Sequence, residues 1–221
     1  MSSWKSPLRI WDISQTLRPS DQTGGLPVWP GDTPFGFERT WRMEDGSPVN
    51  VARMTMSTHS GTHADAPLHY ALEGADAASM ALDPYIGECL VVDARGVAGL
   101  EIDVGDLPEI ESADRVLFRT WDSFPRDEWR SDWTSISADA IRWLSVQGVK
   151  LIGTDAPSLD PQESKDMAAH KAILAEDMRI LEGLVLDGVP SGRYELIALP
   201  LKIAGGDAGL CRAILRELPD D

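Results

Sequence analysis

The sequence predicts an α/β domain, on three observations: short apolar, β-branched runs recur along the chain, helical periodicity appears between them, and no linker divides the whole. The runs are Leu8 to Ile13, Val49 to Met56, Cys89 to Val92, Val116 to Phe118, Leu151 to Ile152 and Leu196 to Ile203, and each reads as a strand. Ile136 to Gly148 reads as an amphipathic helix. Ile136, Ala140, Ile141 and Leu144 carry its apolar face, Ser137 is a suitable cap and Gly148 a suitable stop. A second helix is expected from about Lys165 to Glu176, through Met167, Ala168 and Ile173. A chain of 221 residues can bury a substantial core as one domain and is short for two, so residues 1–221 are expected to form one domain.

Charge narrows the partners. With 36 acidic against 20 basic side chains the formal net charge is -16, a field that repels nucleic acid phosphates and anionic membranes. Neither partner is expected. Cys89 and Cys211 are far apart and outside any CxxC spacing, so buried free thiols are expected rather than a disulfide or a thiolate metal site. Met1 to Pro7 lacks an apolar signal core and no later stretch suits a membrane span, which together give a cytoplasmic expectation.

Two segments are rich in loop-forming residues, Pro19 to Pro34 and Trp121 to Trp133. Both are candidates to overhang a pocket. The second places Trp121, Phe124, Trp129 and Trp133 among charges, which suits an aromatic lid and suits equally a satellite cluster that holds a long loop down.

Chemistry concentrates in the segment His59-Ser60-Gly61-Thr62-His63-Ala64-Asp65-Ala66-Pro67-Leu68-His69-Tyr70. The chain has four histidines, and three of them, His59, His63 and His69, fall in an eleven-residue window with Asp65 among them. On an extended chain residues 59, 61, 63 and 65 share a face, so His59, His63 and Asp65 converge and Gly61 leaves room for an ion. A helix would pair the two histidines at i and i+4 but throw Asp65 aside, and Gly61 and Pro67 both disfavour one. Two imidazoles and a carboxylate suit zinc with an open coordination position. Two further extended pairs, interrupted by Pro67, would carry His69 beyond the first ion, where it is placed equally well as another ligand or as a general acid or base.

The run HSGTHADAPLHY resembles the HxGTHxDxPxH signature of the cyclase family of metal hydrolases, and the chain is most similar to the branch that cleaves aryl formamides. Matching stretches extend the resemblance over nearly the whole chain: Trp11-Asp12-Ile13-Ser14, Trp29 to Pro34, Gly153 to Asp160, His170, Leu181 to Leu184 and Tyr194 to Leu201. It implies a cyclase-like swivelling β/α/β fold, with a mixed sheet and flanking helices. It also implies two zinc ions per subunit; manganese could replace zinc, since carboxylate-rich sites accept it. By this resemblance His59, His63 and Asp65 bind the first ion, Asp65 reaches the second, His170 binds the second and Glu182 bridges both. His69 is then the acid/base residue and Trp29 contacts an aromatic substrate. Spacing alone singles out neither His170 nor Glu182, although Glu182 sits between the apolar Ile180-Leu181 and Gly183, an unusual place for a solvated acid. Departures from the family pattern fall in loops, at Asp21 to Gly25 and Trp121 to Trp133.

The implied activity is hydrolysis of N-formyl-L-kynurenine, a small-molecule substrate, by a chain that is at least a homodimer. Another cyclase-family enzyme opening a cyclic amide of the isatin type would use the same metal site. A noncatalytic protein stapled by its His/Asp cluster is the alternative from a different class. Against it, structural zinc sites are usually closed by four ligands, often cysteines, and here a histidine is left over.

Overall fold

The computed structural model describes residues 8–110 and 112–219, so the Met1 to Pro7 segment lies outside the described residues. In chain order the first half holds β1 (Ile10–Asp12), β2 (Gly36–Trp41), β3 (Val51–Thr55), β4 (His63–Asp65), β5 (Ile86–Asp93), β6 (Glu101–Ile102) and β7 (Arg115–Arg119). There follow β8 (Ser135–Ile136), α1 (Ala138–Val146), β9 (Leu151–Thr154), α2 (Ala168–Ala175), β10 (Arg179–Leu181), β11 (Gly192–Ile197), β12 (Ala208–Leu210) and β13 (Ile214–Arg216). Seven strands form a mixed sheet in the order β1-β13-β11-β5-β7-β9-β10. Its β5-β7-β9-β10 half is parallel and its β1-β13-β11-β5 half antiparallel. The expected α/β class is observed.

The parallel strands are apolar runs because both their faces are covered. On β7, Val116 and Phe118 point to the core beneath the helices while Leu117 joins the core on the opposite face. Ile152 and Leu151 on β9, and Ile180 and Leu181 on β10, divide in the same way. The helices share one side: Ile141 and Leu144 of α1 and Ile173 of α2 pack in the same cluster. Ser137 caps α1 by accepting the Ala140 N–H at 3.0 Å, and Gly148, at φ 91°, turns the chain beyond its end.

Two expectations are corrected. Strand signals ran from Leu196 to Ile203, yet β11 ends at Ile197. Pro200 has no N–H for a ladder, and the chain instead lies beside Leu210 and Cys211, with Pro200 bridging Cys211. The run Val49 to Met56 does contain β3, but its partner β2, which the sequence reading missed, makes it half of a hairpin exposed along both strands. Cys89 and Cys211 are buried free thiols. Among the described residues no helix is long and apolar enough to cross a membrane.

Candidate metal centre

Three parallel strands run out at one edge of the sheet, and the residues just beyond them line a cavity. Trp121 lies two residues past β7, Asp155 follows β9 and Glu182 follows β10. Ligand sites of open α/β sheets favour such carboxyl ends. β4 is fastened there by a pair of backbone bonds, His63 N–H to Glu182 C=O at 3.2 Å and Glu182 N–H to His63 C=O at 3.0 Å. On its other edge β4 pairs with β12, so its residues are buried throughout. His63 and Asp65, two apart on this strand, face the same way, and Glu182 is held beside them.

The extended reading of residues 59 to 65 holds only from His63 to Asp65. Gly61 has φ 76°, in the left-handed region, so the chain turns through Ser57 to Thr62 before β4 begins. Gly61 does not make room for an ion. A side chain there would meet Leu17 Cδ2 at 2.9 Å, and its carbonyl occupies the space, 2.5 Å away, where a Cβ on Gly183 would stand. Glycine is required by backbone conformation and by the approach of two loops. The position of His69 along an extended chain is corrected too. A short 3-10 turn, Pro67–His69, folds it back, and its ring centroid lies 4.0 Å from that of His59 and 5.8 Å from that of His170.

The donor atoms form a definite pattern. Asp65 Oδ1 lies 3.1 Å from His59 Nδ1 and 3.4 Å from His63 Nε2, while Oδ2 lies 3.3 Å from His170 Nε2. Glu182 mirrors it, with Oε2 3.4 Å from His63 Nε2 and Oε1 3.6 Å from His170 Nε2. Each carboxylate thus presents one oxygen to His63 and the other to His170. Nitrogen and oxygen ligands about 2.0–2.2 Å from a tetrahedral zinc stand roughly 3.3–3.6 Å apart, the spacing found here for every pair except His59–Asp65, which is closer at 3.1 Å.

Satisfaction of polar groups tests the fit independently. Asp65 is fully buried, yet neither of its oxygens has a hydrogen-bond partner among the described residues, and the same holds for His59 Nε2 and His63 Nε2. Pairs within 3.1 to 3.4 Å are close enough for ion pairing but misaligned for hydrogen bonds. A buried carboxylate without hydrogen bonds is costly, and a cation removes the cost. The second ring nitrogens of His63 and His170 are committed. His63 Nδ1 lies 3.0 Å from Gly61 C=O and His170 Nδ1 lies 2.5 Å from Asp160 Oδ2, so each ring turns Nε2 toward the two carboxylates. Asp160 also accepts the N–H groups of Ala169 and His170, fixing the start of α2 and with it the His170 ring. The donor set fits divalent metal.

Electrostatics agree. Burial alone would lower His63 and His170, but Asp65 and Glu182 around the first, and Asp160 and Asp65 around the second, push both up to about 10. Burial would raise Asp65, and the imidazoles of His170, His59 and His63 outweigh it, holding the carboxyl well below its usual range. His69 goes the other way: burial lowers it and favours the neutral ring. The centre therefore draws positive charge, which protons or metal can supply.

That competition has a measurable consequence. His63 and His170 rise from 6.5 unfolded to about 10 folded, so their stabilisation of metal-free protein is complete below pH 6.5 and is lost as pH rises through 10. The melting temperature of metal-free protein should fall across this window, and added zinc should restore progressively more of it toward the alkaline end. Calorimetry with and without zinc checks this; a zinc increment that shrinks with rising pH would contradict it.

The cavity beside the centre measures about 350 Å³ and is walled by Trp29, Trp121, Phe124 and Trp129. Trp29 is 37% exposed, with its ring centroid 5.3 Å from that of Trp129 and 5.6 Å from that of Trp133. The loop from Trp121 to Trp133 proves to be both tethered and part of the wall. Trp133 is buried and donates to Asp160 C=O at 3.0 Å, while Trp129 lines the cavity and donates to Gln162 Oε1 at 2.7 Å. Asp155 clamps the start of the loop, accepting the Thr120 hydroxyl at 2.6 Å and the Trp121 N–H at 3.2 Å, and burial pushes its carboxyl up to about 6. Sequence reasoning assigned no role to Asp155, Asp160 or Asp207. The last lies 3.4 Å from His59 Nε2 through Oδ2 and accepts the Thr58 hydroxyl at 2.6 Å. Asp155 and Asp160 stood in a recognisable stretch, but only three-dimensional contacts distinguish their duties.

Known proteins share this architecture. A kynurenine formamidase of Erythrobacter litoralis (strain HTCC2594) is 80% identical over 220 residues, covering 100% of this chain and 99% of that protein. A solved structure described as a potential metal-dependent hydrolase with cyclase activity superposes with a TM-score of 0.81 at 30% identity, over 96% of this chain and 100% of that one. An isatin hydrolase bound to the product analogue thioisatinate has the same fold, with a TM-score of 0.74 at 21% identity over 97% and 94% of the two chains. The cyclase family model matches residues 11–161, and with this match and the 80% identical relative, the chain belongs to the cyclase family.

Proposed function

We propose that this chain is a kynurenine formamidase that hydrolyses N-formyl-L-kynurenine to L-kynurenine and formate, using two zinc ions per subunit, for which manganese can substitute. The observation that carries the reading is the double bridge, in which Asp65 and Glu182 each offer one oxygen toward His63 and the other toward His170, at the end of an aromatic-walled cavity. The 80% identical formamidase supports the choice of substrate.

His59, His63 and Asp65 would hold one ion and Asp65, His170 and Glu182 the other, Glu182 serving both. Bound there, divalent metal supplies a nucleophilic water near neutral pH and polarises the formyl oxygen, which amide resonance otherwise protects. His69 moves the proton. Its neutral ring accepts one from the attacking water and returns it to the aryl nitrogen as the C–N bond breaks, releasing formate and the free arylamine. Trp29 stacks against the substrate ring, fixing orientation and adding about 0.5–1.5 kcal/mol beyond burial.

The test compares hydrolysis of N-formyl-L-kynurenine and isatin by metal-analysed protein, before and after chelation. Formylkynurenine should be preferred, and activity should vanish with the metal while the fold persists. Faster opening of isatin, or unfolding on chelation at neutral pH, would replace this reading with one of its rivals.

The enzyme is proposed to act in the cytoplasm as a homodimer. The β2–β3 hairpin leaves Phe37, Trp41, Met43 and Met54 48 to 58% exposed, an apolar surface suited to a second copy. Light scattering should give twice the chain mass of 24.1 kDa; a monomer at micromolar concentration counts against it.

A further inference from the structure

We propose that Arg130 binds the α-carboxylate of the substrate and so makes the cavity selective for aryl formamides that carry an amino-acid side chain. The inference rests on the formamidase reading and deepens it. Beyond the proposed metal centre, the cavity offers an anion little attraction. Its lining includes Asp32, Glu128, Asp155 and Glu182, on a chain of net charge -16. Among the described residues that line it, Arg130 is the single lysine or arginine. Apart from the proposed metal ions, a substrate carboxylate entering this cavity meets one cationic side chain, whose Nε and Nη2 are paired with Asp132.

Arg130 is also held ready. Its guanidinium lies 5.2 Å from the centroid of the Trp121 ring, which itself walls the cavity. Asp132 grips one edge of the fork, accepting from Nε at 2.7 Å and from Nη2 as well. Nη1 forms a looser ion pair with Glu128 at 3.9 Å, beyond hydrogen-bond reach, and is the edge of the fork left to donate to a ligand. The Trp121 contact and the Asp132 pair favour this placement of a side chain that is 42% exposed, so less side-chain entropy is lost on binding. The acidic side chains of Asp32 and Glu128, on the same cavity, suit the ammonium group borne by the same carbon as the carboxylate. An uncharged cyclic amide gains from neither feature.

The experiment measures kcat and KM for N-formyl-L-kynurenine and for ortho-formamidoacetophenone, the same aryl formamide without the amino-acid end, in wild type, R130M and R130K. R130M should lower kcat/KM for formylkynurenine on the order of 10- to 100-fold, mainly through KM, and leave the acetophenone within about twofold. R130K, which retains charge but not the fork, should recover part of the loss. Equal losses on both substrates, or no loss on formylkynurenine, would overturn the assignment. Metal content and melting temperature of both variants identify a folding defect, and if R130M is defective the substrate ratio of R130K decides. Wild-type protein that cleaves neither formamide overturns the formamidase reading and the assignment with it; cleavage of both with equal losses overturns the assignment alone.

Discussion

Asp65→Ala is expected to strip the protein of metal and lower kcat/KM by about 10³-fold or more, the several kcal/mol that metal contributes to such a reaction. Asp65 faces His59 and His63 with one oxygen and His170 with the other, so its loss opens both proposed ion sites at once. The fold should survive at neutral pH. The substitution also removes a fully buried carboxylate that has no hydrogen-bond partner among the described residues, and the imidazoles can then become neutral. Elemental analysis of purified variant against wild type measures the effect. Two ions per chain in the variant would sink the bridging role, whereas loss of one ion would confine Asp65 to a single site.

His69→Ala should separate proton transfer from metal binding. Its kcat is expected to fall about 10²- to 10⁴-fold, the usual contribution of a positioned acid or base, with metal content unchanged. The geometry makes this a demanding test. Donor atoms of His59, Asp65 and His69 lie within 4.8 Å of one another, as do those of His63, Asp65 and Glu182, so His69 stands within reach of a ligand role as well as a proton-transfer role. Its exposure differs from that of the others: His63 and His170 are buried, and His69 opens to the cavity. A variant with full metal and wild-type turnover refutes the acid/base role. One that loses an ion moves His69 into the ligand set.

The class of fold was legible because it depends on local pattern. Apolar runs such as Val116 to Phe118 and Leu151 to Ile152 are buried on both faces, and the period of α1 with its Ser137 cap can be read from a dozen residues. Boundaries failed where a partner strand decided them. β11 stops at Ile197 because Pro200 must turn aside, and β2 and β12 exist as the partners of β3 and β4. At the site, spacing grouped His59, His63 and Asp65, and the structure brings them together, though through a turn at Gly61 rather than along one extended face.

The sequence by itself determined the donor inventory: three histidines and an aspartate in one short window, no cysteine pair to compete, and an acidic chain. Tertiary structure alone decided how that inventory becomes a centre. The backbone pairing of His63 with Glu182 joins strands whose residues lie 119 positions apart, and α2 delivers His170 with its ring held by Asp160. The reason is physical. Side-chain alternation on a strand is a local property readable from neighbouring residues, whereas closure of a metal site depends on donor atoms meeting within a few ångströms, a distance set by which strands pair and not by how far apart residues lie in the chain.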